Sequence, residues 1–436
     1  MQTYKEKLTT AAEAVKCVRS GDRIYIGTSS SFAYELLDAL YDRRDELENV
    51  TLLCAMSLSP CRMFEADWGE RKPFSVETFF LGEGERAAHR KHGMPLRFTS
   101  FHLSQIGIWA KYIGKPDLCF LQVSRPDENG YMSFGSSGIC DAQDFIANCR
   151  RGIILEANTG TPYVCGERNL IHGKDADAIV ETDKPAPSIP EDEIDEVSAG
   201  VAAQVLPEIP DGATIQLGIG KMGSAIGEAL KQRNDLGIFT EMFTTPMYNL
   251  IKNGNVSNKY KGYFDGKNVF AFSAGTQEMY DHMNHNEDYY AAPWDLVNDA
   301  YQVARNKNMM SVNAAMAVDV FGQVAAEAMG FVQQSACGGQ LDYVKGAQMS
   351  EGGKSFIVTP SYFVKNGERR SKIVLSFPPG TGITTPRSEV QYVATEYGCV
   401  NLKHLDMTDR VTAMIGLAHP DFRDELTQQA KEFDLI

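Results

Sequence analysis

One order of elements occurs twice along this chain, and it restricts the fold more than any single motif. Gly21-Asp-Arg leads into an apolar run, Ile24-Tyr-Ile-Gly27, then a small-residue loop (Thr28-Ser-Ser-Ser31), a helix from Phe32 to Tyr41 and a strand Val50-Thr-Leu-Leu-Cys-Ala55. The same order returns 191 to 192 residues later. Gly212 to Gly218 repeats Gly21 to Gly27, Ile226 to Leu230 repeats the helix Glu35 to Leu40, and Asp319 with Gly322 repeats Asp127 with Gly130. Separate landmarks agreeing on one offset indicate duplication of one unit. Apolar strands alternating with amphipathic helices predict mostly parallel sheets covered by helices. The expected fold class is therefore α/β, as two similar, mostly parallel α/β domains.

The Pro-rich acidic connector Asp183-Lys-Pro-Ala-Pro-Ser-Ile-Pro-Glu-Asp-Glu-Ile-Asp-Glu196 marks the boundary, giving domains of 1–190 and 191–436. Residues 4–20 read as one helix with Leu8, Ala11, Ala14, Val15 and Val18 on one side, and a helix from about Glu193 to Leu206 opens the second half.

Composition removes several classes of function. A formal charge of −15 argues against nucleic acid or an anionic membrane as partner. No apolar run approaches the roughly 20 residues that span a bilayer, and the start of the chain has no secretory pattern. The nine cysteines form no CxxC pair, which fits reduced thiols and a cytoplasmic location. His282 and His285 share a helical face without a third ligand in sequence, so no metal is expected.

The two copies differ at the turn. Where the first has Gly27-Thr-Ser-Ser-Ser-Phe, the second has Gly218-Ile219-Gly220-Lys221-Met222-Gly223, with a helix expected to start near Ser224. A short strand, Gly237-Ile-Phe-Thr-Glu241, then ends on a carboxylate that Val50-Thr-Leu-Leu does not match. A strand, a glycine turn and a helix N-terminus direct backbone N–H groups and a positive dipole end at one spot, suited to a phosphate or oxyanion. Read alone, Gly218-x-Gly-x-x-Gly223 with Glu241 23 residues on is also a dinucleotide fingerprint, or a plain structural turn. The adjacent Gly338 and Gly339 allow close backbone approach, to a ligand or within a hairpin turn. Cys337 reads as a small buried residue.

Six ordered motifs narrow these readings. Gln216-Leu-Gly-Ile-Gly, Phe239-Thr-Glu-Met-Phe, Gly254-Asn-Val-Ser-Asn-Lys259, Val312-Asn-Ala-Ala-Met-Ala-Val-Asp-Val-Phe-Gly-Gln323, Gly338-Gly-Gln-Leu-Asp-Tyr and Thr395-Glu-Tyr-Gly with Ala418-His-Pro-Asp-Phe-Arg423 closely resemble the acetyl-CoA hydrolase/transferase family. Within it, the likeness is to the 4-hydroxybutyrate or butyryl-CoA:acetate type of CoA-transferase.

The resemblance implies two α/β halves of the CoA-transferase fold meeting at an active-site cleft. It implies transfer of CoA between a short-chain acyl-CoA and a carboxylate such as acetate. CoA is then a substrate, with no tightly bound cofactor and no metal. Glu241 is implied as the reactive residue, passing through a glutamyl-CoA thioester. Gly218, Ile219, Gly220, Lys221 and Met222 are implied as the CoA loop, with Asn313, Gly338, Gly339 and Lys365 as further CoA contacts. Lys259 and Lys261 are outer candidates for the CoA phosphates. A homodimer or larger assembly is usual for such families. Hydrolysis of acetyl-CoA on the same scaffold and an NAD-linked oxidoreductase remain the alternatives.

Overall fold

A computed structural model describes residues 2–112, 114–136 and 140–436 of the chain. It divides into two compact units, residues 1–190 with 269–297, and residues 191–268 with 298–436.

In the first unit seven strands form one sheet: β1 (Arg23–Thr28), β2 (Val50–Ala55), β3 (Phe74–Thr78), β4 (Leu96–Phe98), β5 (Leu118–Val123), β6 (Gly152–Asn158) and β7 (Ala178–Thr182). Their order is β4-β3-β2-β1-β5-β6-β7 and every neighbouring pair is parallel. Strands covered on both faces read as continuous apolar runs, and Leu118 to Val123 is buried throughout. Helix α1 (Tyr34–Asp42) turns Leu36, Leu37 and Leu40 onto Ile24, Ile26, Leu52 and Phe120 in the core.

In the second unit β8 (Thr214–Leu217), β9 (Gly237–Thr244), β10 (Met309–Ala314), β11 (Lys354–Val358), β12 (Tyr392–Thr395) and β13 (Gly398–Asn401) run in the order β9-β8-β10-β11-β12-β13. They are parallel apart from the antiparallel β12–β13 pair. From β9 to β12 this order repeats β2-β1-β5-β6-β7 of the first unit. The landmark turns repeat as well. Asp127 Oδ1 accepts from the N–H groups of Asn129 and Tyr131, and Asp319 Oδ1 from those of Phe321 and Gln323. Gly130 and Gly322 close these Asx turns at φ of +87° and +83°. The duplication is thus visible down to single hydrogen bonds.

Two expectations are revised. Residues 4–20 do not form one helix: Leu8 bridges Ile179 beside β7, and Thr10 then caps a separate short helix, Ala11–Ala14. Backbone pairing to the sheet edge outweighs the helical pattern there. The helix α2 (Ala142–Asn148) belongs to the first unit, and α3 (Glu196–Val205), capped by Asp195, opens the second. The second domain is not the continuous 191–436, because Val269–Val297 groups with the first unit. Asn284 accepts from the Tyr163 N–H at 2.7 Å, His285 stacks on Tyr163, and the Ala291 carbonyl accepts from Glu167 at 2.8 Å. Finally, no helix among the described residues is long and apolar enough to cross a membrane.

Candidate active site

The site is built at the carboxyl end of β8. All four residues of β8 are buried, and Gly218 continues the strand by donating to the Val312 carbonyl at 2.8 Å. Gly220, at φ +83°, then caps α4 (Lys221–Ala229). The helix starts at Lys221 rather than near Ser224, because Gly223 packs its bare Cα on the strand end. A Cβ there would stand 2.0 Å from the Gly218 carbonyl. The first-turn N–H groups of Lys221, Met222 and Gly223 consequently have no acceptor within the helix, and they point with its positive dipole end past the strand.

Register brings three strands level at this edge. β8 pairs Ile215 with Ile238 of β9 and Leu217 with Val312 of β10. Counting on, Gly218 lies level with Glu241 and Asn313. Glu241 does not end its strand, as expected from the sequence, since β9 runs on to Thr244.

The Glu241 carboxylate is held by groups from two other segments. Asn298 Nδ2 donates to Oε2 at 2.7 Å, and the Gly339 N–H donates to the same carboxylate. Gly338 and Gly339 do not form a hairpin turn. Gly338, at φ +58°, turns the chain so that Gly339 caps α5 (Gln340–Met349). A Cβ on Gly339 would lie 1.9 Å from both Glu241 Oε2 and Asn298 Nδ2, so this position admits only glycine as the site stands. The next turn of α5 adds buried Asp342 and Tyr343. Among the described residues, neither the Tyr343 hydroxyl nor Asn298 Oδ1 has a hydrogen-bond partner, and both atoms are buried.

Glu241 as a whole keeps some accessible surface, while its carboxyl end is closely packed by this shell. Burial pushes its pKa up to about 7, the hydrogen bonds from Asn298 and Gly339 oppose the rise, and the Asp342 charge adds to it. The packed carboxyl end, not the exposed stem, sets that titration. Among the described residues, no lysine or arginine offsets it.

The other candidates have partners or surroundings of their own. Asn313 is buried and its amide is exchanged with that of Gln216 on β8, with Asn313 Nδ2 donating to Gln216 Oε1 at 3.1 Å. Ile219 is exposed, and Lys221 is an exposed cation paired with Asp195 at 2.9 Å. Lys365 stands on an exposed two-stranded hairpin opposite Glu368. Lys259 is exposed, but Lys261 is not a surface cation: it is buried, and Nζ donates to the Ile238 carbonyl at 3.1 Å. His282 pairs with the Tyr289 hydroxyl and His285 stacks on Tyr163, so the two imidazoles have separate structural partners. Cys337 is buried. Asn298, Asp342 and Tyr343 were not expected from the sequence. Asn298 lies 57 residues from Glu241 in no recognisable spacing, whereas Asp342 and Tyr343 are carried by the same motif as Gly338.

Residues 1–190 match the acetyl-CoA hydrolase/transferase N-terminal domain, and residues 275–430 match the acetyl-CoA hydrolase/transferase C-terminal domain. The chain belongs to the acetyl-CoA hydrolase/transferase family. It is 34% identical to butyryl-CoA:acetate CoA-transferase of Anaerostipes caccae, over 99% of this chain and 97% of that protein. To 4-hydroxybutyrate coenzyme A transferase of Clostridium kluyveri it is 33% identical, over 99% of both. Among solved structures, that of RipA from Yersinia pestis superimposes with a TM-score of 0.92 at 35% identity, over 100% of this chain and 99% of that one. In this member of the acetyl-CoA hydrolase/transferase family, Glu241 and the glycine turn lie in the stretch between the two matched domains, so their placement rests on the geometry above.

Proposed function

We propose that this protein is an acyl-CoA:carboxylate CoA-transferase working through Glu241 as a covalent nucleophile. The observation carrying this reading is a buried carboxylate held by Asn298 Nδ2 and a backbone N–H, with no cation paired to it among the described residues. An oxygen so held is already placed where a carbonyl oxygen of an acylated glutamate would need donors.

The sequence of bonds follows. A Glu241 oxygen attacks the thioester carbonyl of a short-chain acyl-CoA, and the CoA thiolate leaves from the mixed anhydride. The thiolate attacks the glutamyl carbonyl, the first carboxylate departs, and a glutamyl-CoA thioester remains. A second carboxylate, such as acetate, attacks that thioester and expels the thiolate, which then takes the new acyl group and restores Glu241. This is ping-pong covalent catalysis. Asn298 and the Gly339 N–H stabilise the tetrahedral oxyanion formed at the glutamyl carbon, a donor of this kind being worth roughly 2.7–4 kcal/mol. The α4 N-terminus with Gly218, Ile219, Gly220, Lys221 and Met222 takes part of CoA, and Lys221 supplies a local cation on an acidic protein. Asn313, Gly338 and Gly339 border the same edge. Lys365, on its exposed hairpin, is a further candidate for the CoA phosphates.

The relatives above act on butyryl-CoA and 4-hydroxybutyrate, and substrates of that short-chain class are the ones to try first. The test is incubation with butyryl-CoA alone, then borohydride or mass analysis of the Glu241 peptide. A CoA adduct on Glu241, discharged by acetate, is expected. An active enzyme with Glu241 unmodified would overturn the reading. Loss of butyryl-CoA to water at the same rate without acetate would instead make it a thioesterase.

A further inference from the structure

The reaction above gives no part to Gln340, the third residue of the motif Gly338-Gly-Gln-Leu-Asp-Tyr. Gln340 follows the two glycines directly and opens α5. Adjacent glycines leave the backbone many ways to turn. The site needs one of them, because a Cβ on Gly339 would stand 1.9 Å from both Glu241 Oε2 and Asn298 Nδ2. The placement of Gly339 therefore has to be fixed from outside the glycine pair.

Three hydrogen bonds hold Gln340, which is buried. Its N–H donates to the Cys337 carbonyl at 3.3 Å and so bridges the two glycines. Its side-chain Nε2 donates to the Ala314 carbonyl at 3.1 Å, and Oε1 accepts from the Thr385 hydroxyl at 2.9 Å. Ala314 is the last residue of β10, directly after Asn313. Thr385 is fully buried in the loop Pro378-Pro-Gly-Thr-Gly-Ile-Thr-Thr-Pro386. Its own backbone is pinned to Val324, whose N–H donates to the Thr385 carbonyl at 3.0 Å. All of these residues belong to the second unit. The partners also decide which way the amide faces. A carbonyl only accepts, so the Ala314 oxygen takes Nε2 and Oε1 is left for the Thr385 hydroxyl. The side chain is thus clamped at both ends.

We propose that Gln340 and Thr385 are positioning residues for the reaction: the Gln340 amide, held between the Ala314 carbonyl and the Thr385 hydroxyl, sets the Gly339 backbone against the Glu241 carboxylate. The proposal rests on Glu241 being the nucleophile. Both side chains act through Gly339, whose N–H donates to that carboxylate. Slackening the clamp misplaces a donor that the tetrahedral oxyanion needs, while the α4 turn assigned to CoA stays as it is. The effect belongs in the rate of the covalent step rather than in binding.

The rate of CoA adduct formation on Glu241 from butyryl-CoA is measured per folded chain for full-length variants. Thr385→Val keeps the shape and removes the hydroxyl. Its saturating rate should fall about tenfold, short of the roughly 100-fold of a 1 Å misplacement, with half-saturation by butyryl-CoA held within about twofold. Thr385→Ser, which keeps the hydroxyl, should recover most of that rate. Gln340→Met loses both side-chain bonds and should fall at least as far as Thr385→Val; if it does not fold, the Thr385 pair decides. Thr381→Val is the control, since that hydroxyl bonds the Gly330 N–H and the Pro378 carbonyl in the same loop, and its rate should match wild type. A wild-type rate in Thr385→Val, equal losses in Thr385→Val and Thr385→Ser, or the same loss in Thr381→Val would each overturn the proposal. A wild type that forms no adduct would overturn the Glu241 reading and this proposal with it, whereas an adduct formed equally by every variant overturns this proposal alone.

Discussion

Asn298 and Glu241 lie 57 residues apart in the chain, and Asn298 Nδ2 donates to Glu241 Oε2 at 2.7 Å. The amide has one further capacity unused, since its Oδ1 is buried without a partner among the described residues. The donor is therefore aimed at the carboxylate by its backbone position and by packing, not by a second hydrogen bond on the oxygen. Removing it with Asn298→Ala should lower kcat by about 10²–10³-fold, as for other oxyanion donors, with a smaller change in KM. Asn298→Asp should do worse at neutral pH, because it replaces a donor with a second carboxylate. Steady-state kinetics with butyryl-CoA and acetate check both; equal kcat for Asn298→Ala and wild type would remove Asn298 from the chemistry.

Glu241 should give a pH signature of its own. Its folded pKa, about 7, is raised above the ordinary 4.5. The nucleophile is the ionised form, so the rate of adduct formation should rise with pH and level off above about 7. Stability has the opposite slope. Between the two values the folded protein holds a proton that the unfolded chain has released, so this residue's contribution is lost as pH rises through 7. Glu241→Gln, which cannot ionise, should be more stable than wild type at pH 8, by at most about 3 kcal/mol and by less where water reaches the side chain. The gap should close toward pH 4. Urea melts at pH 4.5 and 8 measure it.

Gly339 offers a steric test of the same assembly. In Gly339→Ala the methyl carbon would fall 1.9 Å from the carboxylate and from the Asn298 amide, so one of them must move. Adduct formation should drop by at least about 100-fold, the scale of a 1 Å misplacement at a reacting centre. Gly338→Ala is the comparison. There the left-handed φ of +58° is the obstacle, costing about 1 kcal/mol of stability, and the carboxylate is not struck directly. Similar loss of adduct formation in both variants would mean that helix displacement, not the clash with Glu241, is responsible.

Lys221 separates ligand binding from stability. Its bridge to Asp195 is exposed on both sides, and pairs of that kind contribute little because water screens them. Lys221→Ala should leave the melting temperature almost unchanged and raise KM for acyl-CoA several-fold, more steeply at low ionic strength. An unchanged KM would take Lys221 out of the CoA site.

Local chemistry was legible in the sequence; convergence from distant segments was not. β2 and β8 fall where apolar runs put them, because each depends on a few adjacent residues. Glu241 and Gly338–Gly339 stood out for the same reason, a carboxylate on an apolar strand and a pair of glycines. Asn298 carries no such mark, being an ordinary residue whose role depends on where Asp295 to Asp299 come to rest. Two boundaries failed for tertiary reasons. Leu8 left its helical pattern to bridge Ile179, and Val269–Val297 left the second unit for contacts with Tyr163 and Glu167. Lys261 was misread because a lysine in sequence looks solvated, and only Gly237 opposite it makes room for the stem.

That buried lysine leads to the last test. The methylenes of Lys261 fill the space a side chain at Gly237 would need, since a Cβ there would lie 2.4 Å from Lys261 Cγ. Its ammonium donates to the carbonyls of Ile238 and Lys267, fastening the start of the strand that carries Glu241 three residues on. Burial lowers its pKa to about 7 from the ordinary 10.5, with Asp265 opposing only weakly. Between those values the unfolded chain binds a proton that the folded protein lacks, so wild-type stability should rise with pH from about 7 to about 10.5 relative to a variant that cannot titrate. Lys261→Met keeps most of the stem and removes the charge. Its stability relative to wild type should therefore be most favourable at pH 6 and decline steadily by pH 9.5, as read from urea melts at both. Two parallel curves would show that Lys261 keeps its proton in the folded state, with the Ile238 and Lys267 carbonyls compensating for the lost water.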